Sequence, residues 1–167
     1  MQERLIPPRP TRTRLSMLLV TSALCFGTAA IGAALTAGPV QEWYPTIRKP
    51  SWTPPDWLFG PVWTLLFGLM AVSAWLVCCR ASIREARWGL GLFLVQLVLN
   101  AGWSGLFFAL RSSGIAFVEI LVLWTAIAAT IFLFARVSPV AAALLVPYLI
   151  WVTYATALNA AIWWMNS

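Results

Sequence analysis

Apolar residues in this chain fall into five long unbroken runs, at about Leu15–Ala37, Trp57–Cys79, Trp88–Leu110, Gly114–Phe134 and Pro139–Met165. Each is close to or above the roughly 20 residues a helix needs to cross a bilayer. Unbroken runs, without alternation at every second residue, predict helices and exclude an outer-membrane β-barrel. The polar stretches after the second, third and fourth runs are only a few residues long, which sets successive helices antiparallel. The expected fold is all-α: an integral membrane bundle of five transmembrane helices over residues 15–167, preceded by a polar basic tail over residues 1–14. The first run has the look of a signal peptide. Its length suits a span, however, and Leu35-Thr36-Ala37 fits an A-x-A cleavage site poorly.

The stretch Trp43–Trp63 breaks this pattern. It holds five Pro and four Trp between two apolar runs. Pro lacks an N–H, fixes φ and biases the preceding residue away from α, so Pro45, Pro50, Pro54 and Pro55 mark a stiff connecting loop. Disordered linkers are poor in aromatics, whereas this one is dense in indole rings. It reads as a lid packed on the bundle.

Composition agrees with a membrane location: 61% of residues are hydrophobic and 10% charged, with a mean hydropathy of +0.83. Soluble domains carry about 25% charged residues, so this surface faces lipid. A net charge of +6 would suggest nucleic acid in a soluble protein, but these cations flank spans, so no nucleic-acid partner is expected. With five spans, Arg4, Arg9, Arg12, Arg14, Arg80, Arg84, Arg87 and Arg136 lie on one side and Arg48, Lys49 and Arg111 on the other. The positive-inside rule then places the N-terminus inside and the lid outside. Cys25, Cys78 and Cys79 lack zinc-site spacing and His is absent, so no metal site is expected.

Three runs carry side chains that share a helix face: Phe59, Trp63 and Phe67 on the second; Gln96, Asn100, Trp103 and Ser104 on the third; Trp151, Ala155 and Asn159 on the fifth, beyond Pro147. Amides and indole N–H groups are costly in hydrocarbon, so these faces turn inward. They either hydrogen-bond to one another as a packing network or line a pocket for a flat apolar ligand. Small residues at Ala23, Gly27 and Ala30–Ala34 of the first run suit close helix packing, within the bundle or at a dimer seam. Glu119 is the one carboxylate well inside a span. It is either a polar relay, with Arg111 two turns away, or a side chain reaching the interface. Conventional catalytic machinery is missing: there is no His, paired carboxylate or activated nucleophile.

Three segments carry a resemblance: WYPTIRKPSWTPPDWLFGPVWTLLFGL (Trp43–Leu69), QLVLNAGWSGLFF (Gln96–Phe108) and VPYLIWVTYATALN (Val146–Asn159). In this order and spacing they resemble the tryptophan-rich sensory protein family, whose eukaryotic branch is the translocator protein, or peripheral benzodiazepine receptor. The resemblance implies a five-helix bundle, commonly a homodimer, with a cavity beneath the first loop. That cavity would bind porphyrin or haem as ligand, and sterols or benzodiazepine-type compounds. No cofactor is required. It further implies a stress-linked regulator of tetrapyrrole metabolism in a bacterial-type membrane, inner or outer. Light-dependent porphyrin breakdown through Trp63 or Trp151, or transport, are the alternatives. Motif position assigns ligand contact to Tyr44, Trp52, Pro54, Phe59, Trp63, Phe67, Asn100, Trp103, Ser104, Trp151 and Ala155. Phe67 has no hydroxyl, so no hydrogen-bonding or radical role carries over to it. No Lys or Arg follows Arg136, so the C-terminal sterol pattern of the eukaryotic branch is missing.

Overall fold

The computed structural model describes residues 10–167, so Arg4 and Arg9 of the basic tail lie outside the described residues. Five helices long and apolar enough to span a membrane make up almost all of it. They are α1 (Thr11–Glu42), α2 (Phe59–Arg80), α3 (Ile83–Ser104), α4 (Ser113–Ala135) and α5 (Pro139–Asn166). This is the all-α membrane bundle that the apolar runs predict.

The helices extend past the apolar runs where local chemistry favours it. α1 continues through Pro39 to Glu42. Pro39 leaves only the Leu35 carbonyl without a helical donor, and the N–H of Trp43 closes the last turn on the Pro39 carbonyl at 2.9 Å. α3 begins at Ile83, ahead of the first apolar residues of its run, because Ser82 and Glu85 form a reciprocal capping box that satisfies the first free N–H groups. Arg84, Glu85 and Arg87, which read as a connection, therefore lie in the first turns of α3. At its other end α3 widens into a π-helical turn at Gly105–Ala109. The chain leaves this turn through Arg111, a non-glycine residue at φ 53°, while the N–H of Ser112 reaches back to the Leu106 carbonyl at 3.0 Å. α5 runs unbroken through Pro147.

Packing follows a closed ring in the order α1, α2, α5, α4, α3 and back to α1. Antiparallel registers are visible in single contacts. Trp75 Nε1 donates to the Arg14 carbonyl, a Cβ on Gly89 would lie 3.1 Å from Phe134, and Trp124 Nε1 donates to Thr153 Oγ1. One half of the ring is filled. Met70, Ala74, Val77, Phe93, Ile127, Phe134 and Leu145 form a continuous buried core, with Phe93 stacked on Phe134 at 5.9 Å. Toward the lid the side chains stand back from the axis, leaving a cavity.

The lid is short and tied down. It consists of a 3₁₀ turn at Tyr44–Thr46, an extended segment holding Pro50, Pro54 and Pro55, and a second 3₁₀ turn at Asp56–Leu58. Asn166, in the last turn of α5, pairs with Arg48 like a strand neighbour: its Oδ1 accepts from the Arg48 N–H and its Nδ2 donates to the Arg48 carbonyl, both at 2.9 Å. Tyr154 adds a third tether, donating to the Trp52 carbonyl at 2.8 Å.

Candidate functional site

Beneath the lid the ring encloses a cavity of about 420 Å³, within the usual range of roughly 300–1,000 Å³ for small-molecule sites. Its walls come from α1, α2, α3, α5 and the lid, and none of its lining residues belongs to α4. α2 supplies Phe59, Trp63 and Phe67 from one face; α5 supplies Trp151, Ala155 and Asn159. The rings meet edge-on or tilted, Phe59 with Trp151 at 5.8 Å and Trp63 with Phe67 at 5.6 Å, an arrangement that favours aromatic pairs beyond their buried area.

Polar groups in the wall are few and oriented. Asn100 Nδ2 donates to the hydroxyl of fully buried Tyr148 at 3.0 Å. Trp103 Nε1 donates to Asn159 Oδ1 at 3.0 Å, while Asn159 Nδ2 donates to the Ser113 carbonyl at 2.7 Å. Asn159 thereby locks α3 to the start of α4 and holds the Trp103 ring, which stacks on Phe107 at 5.0 Å. The packing network and the pocket coexist: Asn100, Trp103 and Asn159 bond to neighbours and line the cavity.

The lid contributes Tyr44 and Asp56. Lys49 Nζ donates to the Tyr44 carbonyl at 2.8 Å and lies 4.3 Å from the centre of the Tyr44 ring. Burial, then the nearby Asp56 carboxylate and Tyr154, push the Tyr44 phenol up to about 12, so it stays a neutral donor at physiological pH.

Of the eleven residues that motif position singles out, Tyr44, Phe59, Trp63, Phe67, Asn100, Trp103, Ser104, Trp151 and Ala155 line the cavity. Trp52 and Pro54 do not. They belong to the outer, extended part of the lid, where Trp52 stands edge-on to Tyr154 at 5.6 Å. Gln96, on the same helical face as Asn100, sits one turn deeper, buried with its amide unpaired. Glu119 is outside the wall, behind α3, with a carboxylate oxygen 4.0 Å from where a Cβ on Gly102 would be. Both its oxygens are buried without a hydrogen-bond partner, so Arg111 does not reach it.

Sequence reasoning did not find the α1 wall. Ala29, Gly32, Ala33 and Thr36 line the cavity, and Gly32 comes so close to α3 that a Cβ there would lie 3.3 Å from Ser104 Oγ. Their spacing of three and four residues was the available signal. Small size alone had suggested only close packing. Phe107 and Phe108 were missed too, although they stand four residues after Trp103 and Ser104, on the face that an α period extends from those two.

Comparison with known proteins follows this geometry. Residues 20–165 match the TspO/MBR family. The chain is 44% identical over 153 residues to the tryptophan-rich protein TspO of Chlorobaculum tepidum, covering 89% of this chain and 97% of that one. It is 40% identical over 147 residues to the human translocator protein, covering 87% and 85%. It is 38% identical over 134 residues to the tryptophan-rich sensory protein of Cereibacter sphaeroides, covering 78% and 83%. With the lid, the three motifs and all of the bundle but the first turns of α1 and the last residue of α5 inside the matched region, this multi-pass integral membrane protein belongs to the TspO/MBR family.

Proposed function

We propose that this protein is a membrane sensor or regulator that binds flat, largely apolar tetrapyrrole-type ligands, porphyrin or haem, in the cavity beneath the lid. The observation that carries this reading is a cavity of about 420 Å³ walled by Phe59, Trp63, Trp103 and Trp151, in which Thr28, Thr36 and Thr64 turn their hydroxyls back on their own helices. Ring faces supply stacking area, and Asn100 and Ser104 supply anchors for polar substituents. Relatives named as sensory and translocator proteins support a role in sensing or moving a small molecule. Haem would bind without His ligation, since the chain has no His. Lys49 is engaged with Tyr44, which leaves Arg48 as the lid cation better able to meet a propionate.

The test is intrinsic Trp fluorescence of the detergent-purified protein titrated with protoporphyrin IX, alongside a Trp63→Phe/Trp151→Phe double variant. Saturable quenching that weakens in the variant supports the cavity as the site. Linear quenching identical in both proteins reduces the interaction to partitioning and removes the proposal.

A second reading, light-dependent porphyrin breakdown, draws on a line of rings. Trp151 lies 5.7 Å from Tyr154, which lies 5.6 Å from exposed Trp52. Such a line could pass an electron from the protein to an illuminated ligand, with dioxygen as the oxidant that then opens the ring. Breakdown continuing in an anaerobic dark sample would exclude photo-oxidation. The charge distribution supports an N-terminus on the cytoplasmic side, to be tested by labelling single cysteines placed at residues 12 and 52. The lipid-exposed face of α1 is the proposed seam of a homodimer.

A further inference from the structure

The stripe of rings on α2 ends, at the lid, in a carboxylate. Asp56, Phe59, Trp63 and Phe67 follow one another at spacings of three, four and four, which sets them on one helical face, and all four line the cavity. Asp56 belongs to the 3₁₀ turn that leads into α2. It is exposed as well as cavity-lining, so it stands at the mouth. Among the described residues that line the cavity it is the only charged one.

Among the described residues no hydrogen bond or ion pair engages the Asp56 carboxylate. The two lid cations, Arg48 and Lys49, do not line the cavity, and Lys49 Nζ is held by the Tyr44 carbonyl at 2.8 Å. Tyr44 does line it. That residue is only 3% exposed, it lies close enough to feel the Asp56 charge, and its hydroxyl has no hydrogen-bond partner among the described residues. The remaining wall is aromatic, with Phe59 edge-on to Trp151 at 5.8 Å. An acid in the first turn of a helix suits the helix dipole, but that role does not require it to face a cavity. Ring faces carry negative charge density, so a wall of rings and a lone carboxylate both attract a cation and their effects add.

We propose that the lid cavity binds flat aromatic cations, such as protonated amino-substituted heteroaromatic compounds, with Asp56 as the residue that determines this specificity. The Asp56 carboxylate accepts from the charged N–H group at the mouth, Phe59, Trp63 and Trp151 pack on the delocalised ring, and the Tyr44 hydroxyl oxygen accepts from a second N–H. The inference rests on the reading of this cavity as a small-molecule site and adds a second ligand class to it. It does not require that a tetrapyrrole bind there.

The experiment is equilibrium dialysis of the protein in dodecyl maltoside against 9-aminoacridine, a cation at neutral pH, and acridine, a neutral compound of nearly the same shape, each corrected for uptake by empty micelles. The variants are Asp56→Asn, Asp56→Glu and Glu42→Gln, the last an acid at the same end of the bundle that does not line the cavity. Asn is as favourable as Asp at a helix start, so Asp56→Asn removes the charge and leaves the turn. The expected result is one saturable 9-aminoacridine per chain, bound about fivefold more tightly than acridine, the gain of one carboxylate–cation pair near solvent. That preference should vanish in Asp56→Asn and persist in Asp56→Glu and Glu42→Gln. Equal affinity for the two compounds in the unaltered protein, a preference that survives Asp56→Asn, or equal losses in Asp56→Asn and Glu42→Gln overturns the assignment. Saturable protoporphyrin quenching without saturable 9-aminoacridine uptake removes the cation site and leaves the tetrapyrrole reading standing; the converse result removes the tetrapyrrole reading and leaves the cation site.

Discussion

Replacing Trp103 and Asn159, singly and together, probes the bond that joins the cavity wall to the bundle. Asn159 is 1% exposed and makes two hydrogen bonds, accepting from Trp103 Nε1 at 3.0 Å and donating to the Ser113 carbonyl at 2.7 Å. Trp103→Phe removes the first bond and keeps an aromatic ring against Phe107. Asn159→Leu is nearly isosteric and removes both. Side-chain hydrogen bonds inside membrane bundles contribute about 0.6 kcal/mol on average and up to about 1.7. Asn159→Leu should therefore cost about 1–3 kcal/mol, and the coupling between the two positions should be about 0.6–1.7 kcal/mol. Reversible unfolding in mixed micelles of increasing dodecyl sulfate content, followed by circular dichroism, measures all four corners of the cycle. A coupling indistinguishable from zero would refute the claim that Asn159 holds the Trp103 ring. If the coupling is present, the ring is free in either single variant, and protoporphyrin quenching should weaken equally in both.

Four further outcomes are expected. Ser82→Ala removes the acceptor at the start of α3 and should cost about 1 kcal/mol in the same unfolding assay, whereas a loss below measurement error would mean the capping box is not formed in micelles. Gly89→Ala should destabilise by about 1–3 kcal/mol through overpacking, because Phe134 is fully buried and stacked on Phe93 and cannot yield; Gly32→Ala faces only the Ser104 hydroxyl at 3.3 Å, which can rotate, so it should leave stability near wild type while narrowing the cavity. Asn166→Ala removes both side-chain tethers to Arg48 and should raise amide exchange across the lid without affecting α2 or α4. The Tyr44 phenol, raised in the folded state to about 12 from an ordinary 10, keeps its proton while the unfolded phenol has lost it. Its contribution to stability is thus complete below pH 10 and disappears as the pH rises through about 12; a difference titration of phenolate absorbance against Tyr44→Phe should show a midpoint near 12, and one near 10 would contradict its burial.

Much of this molecule follows from period and composition. Lipid solvates no backbone amide, so long apolar runs have to be helices, and their number could be read directly, whereas the ends of α1 and α3 were set by local chemistry outside the runs. Pro45, Pro50, Pro54 and Pro55 dictated an irregular lid because Pro cannot donate within a helix. The faces of α2, α3 and α5 followed from helical spacing, and most residues chosen on them do meet at one cavity. What the linear chain could not carry was the order of the helices in the ring. α2 packs on α1 and α5 and only slightly on α3, although the α2–α3 connection is just two residues long. That order alone places the small residues of α1 opposite Trp151 and makes them a wall, and it places Glu119 behind α3. The π turn at Gly105–Ala109 is equally invisible to a fixed period, since one extra residue in a turn leaves the composition unchanged. Composition and spacing thus determined which groups must avoid lipid. Which of them face one another depends on the crossing of helices distant in sequence, and is decided only when all five pack together.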